Sequence, residues 1–229
     1  MNNFLHLNKQ NIYRIALEFV TLTKNIEKKF ALNKDILAKL RNFIPIPLSS
    51  DQLSGFVGQT IILRKFLSFL FNKSPYLPPS FMGIFKEIEK EYSPALNILD
   101  DFIREISLKF SLKSLEHSTF EFWIYFYECY LSALNPGLQK QRGVFYTPLP
   151  VVRFILRAVN TLLKKELKFN GLLDPQVKVL DPSAGIMPFY LILLKDFGSE
   201  FSPQLLFKLV TSNLLAFEII PATYLFSYM

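Results

Sequence analysis

The sequence predicts an all-helical domain over residues 1–141, followed over residues 142–229 by the incomplete start of a doubly wound α/β domain. Two observations lead to this division. In the first part, apolar residues recur every three or four positions, the periodicity of amphipathic helices. Near the end of the chain, a short apolar run, a turn of small residues, a helix, a second apolar run and an acid follow one another, which is how such a sheet begins.

The first part is expected to be a series of helices. Its first helix carries a set of apolar residues at helical spacing: Ile12, Ile15, Leu17, Phe19, Leu22 and Ile26. A second amphipathic run, 56–71, follows the N-cap residues Ser50 and Asp51 and ends before Pro78 and Pro79. Further helices are predicted over 84–91, 94–110 and 119–134. The last has aromatic residues at helical spacing, which predicts core positions: Phe120, Phe122, Trp123, Phe126, Tyr127 and Tyr130.

The pattern changes after residues 135–137, which read Asn-Pro-Gly. A helix is predicted over 150–168 and is expected to end at Asn170 and Gly171. Its apolar face is formed by Val151, Val152, Phe154, Ile155, Val159 and Leu162. Residues 177–180 predict a short strand that leads into the turn 181–185. Helices over 188–196 and 203–210 then precede a second buried strand, 214–218, which ends in Glu218.

Composition limits the possible function classes. Hydrophobic residues are 50% and charged residues 20% of the chain, which is typical of globular proteins. We find no run of about 18 consecutive apolar residues and no signal peptide. The single cysteine, Cys129, cannot form an internal disulfide, which fits a reducing compartment. A cytoplasmic protein is therefore expected. The net charge of +7 allows DNA as a partner, although a lysine-rich surface explains it equally well.

The turn and the acid suit a nucleoside ligand. A turn of small residues lets the backbone approach a ligand closely, and an acid after the next strand can accept hydrogen bonds from ribose hydroxyls. Residues 181–185, Asp-Pro-Ser-Ala-Gly, and Glu218 supply these two parts. A generic α/β domain explains the same pattern, so both interpretations stay open on these residues alone.

Residues 143–148, Gly-Val-Phe-Tyr-Thr-Pro, precede an amphipathic helix and then 179–185, Val-Leu-Asp-Pro-Ser-Ala-Gly. This arrangement resembles the amino-methylating DNA methyltransferases, most closely the adenine-specific ones of single-polypeptide restriction-modification enzymes. Residues 126–128, Phe-Tyr-Glu, also resemble that family, and Gln59 and Thr60 do so more loosely. The resemblance implies that the second part begins a Rossmann-like, S-adenosylmethionine-dependent methyltransferase domain, with DNA as substrate.

The resemblance also implies site residues. Tyr146, Thr147 and Pro148 would contact the amino-acid end of the cofactor. Four residues would form the turn beneath it: Asp181, Pro182, Ser183 and Gly185. Phe189 matches the aromatic residue after the turn, Glu218 would bind the ribose, and Ile219 would flank the adenine ring. Lys140 and Arg142 could contact DNA phosphate, although two solvated loop charges explain them as well.

Two features depart from the family. Its Gly-Thr-Gly turn reads here Gly185-Ile186-Met187, so a side chain stands where the family has none. The Asn/Asp-Pro-Pro-Tyr/Phe loop that holds the flipped adenine does not occur after Glu218, so no catalytic residue is assigned. We therefore expect a methyltransferase fragment that is inactive alone and acts with a C-terminal catalytic and target-recognition polypeptide.

Two alternatives remain open. One is an inactive remnant or a helical DNA-interaction module that binds no cofactor, which Met187 favours. The other is an unrelated α/β nucleotide-binding protein. Other chemistry has little support, because His6 and His117 have no metal-ligand cluster and Cys129 has no adjacent base.

Overall fold

The computed structural model describes residues 9–30, 34–42, 44, 47–91, 93–110, 112, 119–137 and 147–228. The chain divides between residues 144 and 145 into two compact units, with residues 228–229 grouped with the first. We call them the helical unit and the α/β unit and describe each by itself.

Six helices of the helical unit lie in the described residues. They are α1 (Lys9–Phe30), α2 (Lys34–Arg41), α3 (Ser50–Phe71), α4 (Pro79–Glu91), α5 (Ser93–Phe110) and α6 (Thr119–Leu134). Helix α1 packs against both α3 and α6, and α5 contacts α1, α3 and α4. The helical interpretation of this part of the sequence is therefore confirmed for these ranges, and α6 has the predicted bounds.

Aromatic side chains form the centre of this unit. The ring centroids of Phe19, Phe66 and Phe126, from α1, α3 and α6, lie 4.4–5.2 Å apart. The predicted core positions of α6 are confirmed, because all but one of its six named aromatic residues are buried. Phe120 is the exception and is 43% exposed.

One buried hydrogen bond and one close approach between helices fix α1 within this core. The hydroxyls of Thr23 and Tyr130 lie 2.8 Å apart in a buried hydrogen bond that joins α1 to α6. On the side of α3, a Cβ at Gly58 would lie 2.9 Å from Cγ of Glu27, so the close approach of the helices requires glycine there. Burial in this interface raises the pKa of the Glu27 carboxyl.

Helix α3 begins earlier than the hydrophobic pattern predicted. Its N-cap is Ser49 rather than Ser50 or Asp51, since Ser49 and Gln52 form a reciprocal capping box. By length and composition alone α3 could cross a membrane, but 61% of its most apolar 18-residue stretch is buried inside the fold. Core helices of soluble proteins have the same length and composition, so this is a weak indication of a membrane span.

The α/β unit contains two strands among its described residues. Its elements are α7 (Leu149–Lys165), β1 (Val179–Asp181), α8 (Pro188–Phe197), the 3₁₀ turn Gly198–Glu200, α9 (Pro203–Asn213), β2 (Leu214–Ala216) and α10 (Pro221–Tyr228). The strands are parallel, with Val179 opposite Leu214 and Asp181 opposite Ala216. Helix α7 packs on α8, and α9 contacts β2.

Two predictions for helix α7 were wrong in detail. Helix α7 ends at Lys165, and Lys168 turns the chain with φ 60°, so Asn170 and Gly171 do not cap the helix. Of its predicted apolar face only Val152 is buried, and α8 is the helix of this unit against which α7 packs. The other members are exposed: Val151, Phe154, Ile155, Val159 and Leu162.

The second strand is shorter and less buried than predicted. It ends at Ala216, and Glu218 follows it in the loop. Leu215 is 46% exposed and Leu180, beside it on β1, is 51% exposed. A parallel sheet normally has both faces covered, so one face of this sheet lacks its usual cover among the described residues.

Candidate functional site

The candidate site lies where the two strands end. Because β1 and β2 are parallel and in register, the turn after Asp181 and the loop after Ala216 leave the sheet at the same edge. The backbone N–H of Phe217 donates to the Asp181 carbonyl at 3.0 Å, and the N–H of Ala184 donates to the Phe217 carbonyl at 2.9 Å. These two bonds attach the turn to the loop.

Glu218 completes the connection between the loop and the turn. One carboxylate oxygen, Oε2, accepts the backbone N–H of Gly185 at 2.9 Å. The other, Oε1, accepts the N–H of Ile220 at 2.7 Å. The structure thus brings the glycine of the turn and the acid, 33 positions apart in sequence, into direct contact.

The bend after the turn uses two residues with left-handed backbone. Gly185 has φ 55°, and a Cβ built there would meet no atom within 4 Å. Met187 has φ 60° and ψ 41° and stands at the N-cap of α8, where its side chain makes no capping bond. Left-handed backbone favours glycine, so the conformation of residue 187 is one that a glycine would adopt without strain.

Sequence reasoning missed Tyr190. Its hydroxyl accepts the backbone N–H of Asp181 at 3.0 Å and also lies within hydrogen-bond reach of the carbonyls of Val179, at 3.1 Å, and Leu215. Burial raises the pKa of this phenol. Tyr190 therefore ties α8 to both strands beside the turn. Periodicity gave no signal for it, because the first turn of a helix is too short to show which residue faces the sheet.

The other residues implied by the resemblance lie around this centre. The N–H of Ser183 donates to Oδ1 of Asp181 at 3.1 Å, and Pro182 is exposed. Phe189 is half-buried, whereas Ile219 is 68% exposed.

Thr147 and Pro148 precede α7, and the Pro148 carbonyl accepts the N–H of Val151 at 2.8 Å. Within the described ranges no hydrogen bond joins these two residues to the turn. Tyr146, Lys140 and Arg142 lie outside the described residues.

The geometry fits a ligand that offers hydroxyl donors. A carboxylate oxygen has two lone pairs, and each oxygen of Glu218 uses one for a backbone amide. One acceptor position per oxygen remains for a neighbouring pair of hydroxyls, such as those of a ribose. The open space beside Gly185 gives a ligand access to the backbone of the turn.

Other chemistry has less support in the structure. Among the residues described, no three His, Cys, Asp or Glu side chains gather as metal ligands would. Burial and the neighbouring Glu128 raise the pKa of the Cys129 thiol, which disfavours the reactive thiolate. A cavity of about 370 Å³ in the helical unit is lined by Arg64 and Lys65, but Glu89 and Asp100 already neutralise these two cations.

Comparison with known proteins relates the chain to several solved structures, of which three are described here. No protein-family model matches the sequence, and no curated protein does either. The cryo-EM structure of the DrdV–DNA complex matches 96% of this chain with a TM-score of 0.73 and 18% identity. The ATP-dependent Type ISP restriction-modification enzyme LlaBIII bound to DNA matches 96% with a TM-score of 0.57 and 20% identity.

The third is a nuclease-deletion mutant of the Type ISP restriction-modification enzyme LlaGI with a DNA substrate mimic. It matches 92% of the chain with a TM-score of 0.52 and 20% identity. The chain spans only 22%, 16% and 21% of the length of these three proteins. At these identities the likeness concerns the fold. The chain therefore has the fold of a segment found in much longer proteins that were solved with DNA, two of them restriction-modification enzymes.

Proposed function

We propose that this chain is the S-adenosylmethionine-binding part of a DNA adenine-N6 methyltransferase from a restriction-modification system. The observation that carries the proposal is the bond between the Gly185 amide and the Glu218 carboxylate at the shared edge of two parallel strands. In open α/β sheets, ligands bind outside the carboxyl ends of the strands. On this proposal the α/β unit is the beginning of a Rossmann-like methyltransferase domain.

The residues of the turn have separate tasks in such a site. Glu218 would accept hydrogen bonds from the ribose hydroxyls while it holds the amides of Gly185 and Ile220. The absence of a side chain at Gly185 would let the backbone approach the cofactor. Asp181 and Tyr190 would hold the turn in place through their hydrogen bonds to the backbone. When bound, S-adenosylmethionine supplies the methyl group.

DNA is proposed as the substrate because the three matching structures described above all contain DNA or a DNA mimic. The choice of adenine over cytosine comes from the resemblance of the Tyr-Thr-Pro and Asp-Pro-Ser-Ala-Gly segments to the adenine-specific enzymes. In such an enzyme a flipped adenine amine must be held in line with the methyl group, and most of the rate enhancement comes from this positioning.

A further polypeptide segment is proposed to supply the catalytic loop. The described residues give no Asn-Pro-Pro-Tyr-like loop, and the α/β unit exposes large apolar side chains that such a segment could cover. Phe154 on α7 is 72% exposed and Phe217 after β2 is 65% exposed. A segment that packs on these two side chains would remove their apolar surface from water, which is favourable.

Calorimetric titration of the purified chain with S-adenosylmethionine tests the proposal. We expect the wild type to bind and Glu218→Ala to bind at least tenfold more weakly, because it loses the acceptors for the ribose and releases the Gly185 amide. Glu200→Ala is the matched control, since Glu200 is an exposed acid of the same unit. Binding that ignores Glu218, or a wild type that does not bind, would contradict the cofactor site.

A second candidate function is a DNA-interaction module that binds no cofactor. The observation that favours it is the side chain of Met187 at a left-handed position where the family has glycine. DNA binding by a wild-type chain that gives no heat with S-adenosylmethionine would support this candidate. Recovery of cofactor binding in Met187→Gly would then identify the residue responsible.

A further inference from the structure

Helix α1 exposes one face that carries hydrogen-bond donors and no carboxylate. Leu17 and Thr21 are exposed within this face. Its charged and amide side chains are Gln10, Arg14, Lys24, Asn25 and Lys28, all of them exposed. With 3.6 residues per turn they fall within an arc of about 100° and extend over roughly 27 Å of the helix. We call this set the donor stripe.

The two acids of α1 lie on either side of the donor stripe. Glu18 faces α5, where its carboxylate is 3.8 Å from Nζ of Lys109. Glu27 faces α3 beside Gly58 and is half-buried. Of the three cations, Lys24 interacts electrostatically with Glu27, whereas Arg14 and Lys28 make no ion pair among the described residues.

The other helices of this unit differ in this respect. Among the described residues, four of the other five helices carry an exposed acid: Asp35 on α2, Asp51 on α3, Glu87 on α4 and Asp101 and Glu105 on α5. Helix α6 exposes neither an acid nor a cation in its described positions. Within the part of the unit that the structure describes, both acids of α1 are half-buried, while its cations Arg14, Lys24 and Lys28 are exposed.

We propose that the donor stripe of α1 binds the phosphate backbone of duplex DNA, which makes it a DNA contact in the helical unit separate from the cofactor site. The inference rests on the proposed function for the choice of DNA. Phosphate oxygens are only acceptors, and Arg, Lys, Asn and Gln are among the side chains that contact them. The stripe is longer than the major groove is wide, about 12 Å, so it can reach phosphates on both sides of a groove.

The test compares two triple variants of the full chain that remove the same charge. Arg14→Gln, Lys24→Gln and Lys28→Gln together neutralise the stripe. Lys73→Gln, Lys86→Gln and Lys90→Gln neutralise three exposed cations elsewhere in the same unit and serve as the matched control. Fluorescence anisotropy at several NaCl concentrations measures the Kd for a labelled duplex of about 30 base pairs, which is longer than the stripe.

We expect the stripe variant to bind at least tenfold more weakly and its salt dependence to become shallower, by about 0.9 in the log–log slope for each phosphate that the protein no longer neutralises. The control should keep the wild-type slope, and both variants should keep the wild-type Tm. An equal loss in the control, or wild-type binding by the stripe variant, would overturn the inference. Tighter binding of an RNA duplex of the same sequence would overturn the choice of DNA. A wild type that binds no duplex at all would refute DNA as partner, and with it both proposals.

Discussion

Replacement of Met187 by glycine and by alanine gives a direct test of the left-handed bend before α8. Residue 187 has φ 60°, a conformation that costs a residue with a Cβ about 1–2 kcal/mol. Glycine avoids this cost but loses about 0.5–1 kcal/mol more conformational entropy on folding. Both substitutions remove the same half-buried side chain, so their difference isolates the backbone. We expect Met187→Gly to be more stable than Met187→Ala by roughly 0.5–1 kcal/mol.

The same pair of substitutions at Lys208 is the control. Lys208 is exposed in the interior of α9, where glycine should be less stable than alanine by about 1 kcal/mol. Native-state hydrogen exchange measures the glycine–alanine difference in stability at both positions. The amides of α8 report on residue 187, beginning with Leu191, which donates to the Met187 carbonyl, and the amides of α9 report on residue 208. If the glycine variant is less stable than the alanine variant at both positions, the left-handed conformation of residue 187 is refuted.

Four further outcomes follow from the site and the core. Gly185→Ala should lower the free energy of unfolding by about 1 kcal/mol, because only the backbone is strained and the new methyl group meets no atom. The same change should weaken S-adenosylmethionine binding more than tenfold in calorimetry. Tyr190→Phe leaves the Asp181 amide without its acceptor and should cost about 1–3 kcal/mol, seen as faster exchange of that amide. Burial raises the pKa of the Glu27 carboxyl, so the folded chain binds a proton there more tightly than the unfolded chain does. The free energy of unfolding should therefore fall as pH rises from the ordinary pKa of 4.5 through the raised pKa. Glu27→Gln should remove that fall, which urea titrations at several pH values measure. The purified chain should transfer no methyl group to DNA, and turnover in a radiolabel assay would contradict the need for a further segment.

The helices of the first unit could be predicted because their pattern and their packing agree. Apolar residues at helical spacing in α1 and α6 find partners on each other and on α3, so the predicted bounds of α6 are correct. The start of α3 could not be found in this way. It depends on the reciprocal bonds of Ser49 and Gln52, whereas the pattern alone favoured Ser50 and Asp51. The end of α7 was also missed, because Lys168 adopts a left-handed conformation more often taken by glycine or asparagine.

The site was predictable as a set of residue types but not as a set of contacts. The sequence indicates a small-residue turn after one strand and an acid after the next, and the parallel register then places them at one edge. Which amide Glu218 binds depends on the path of residues 217–220, and no periodicity describes that path. Tyr190 was missed for a similar reason, since its role depends on a hydroxyl that reaches two strands.

On the proposed function, the exposed apolar side chains beside the site would connect the binding of a further segment to the binding of the cofactor. The backbone of Phe217 bonds to both Asp181 and Ala184, while its ring is 65% exposed. Full burial of a side chain of this size contributes about 1.5–3 kcal/mol. A segment that packs on this ring would therefore restrain the same backbone that presents Glu218 to the turn. On the proposed function, we accordingly expect the cofactor to bind more weakly to this chain alone than to an assembly in which Phe217 is covered, because packing on Phe217 would further restrain the loop that presents Glu218.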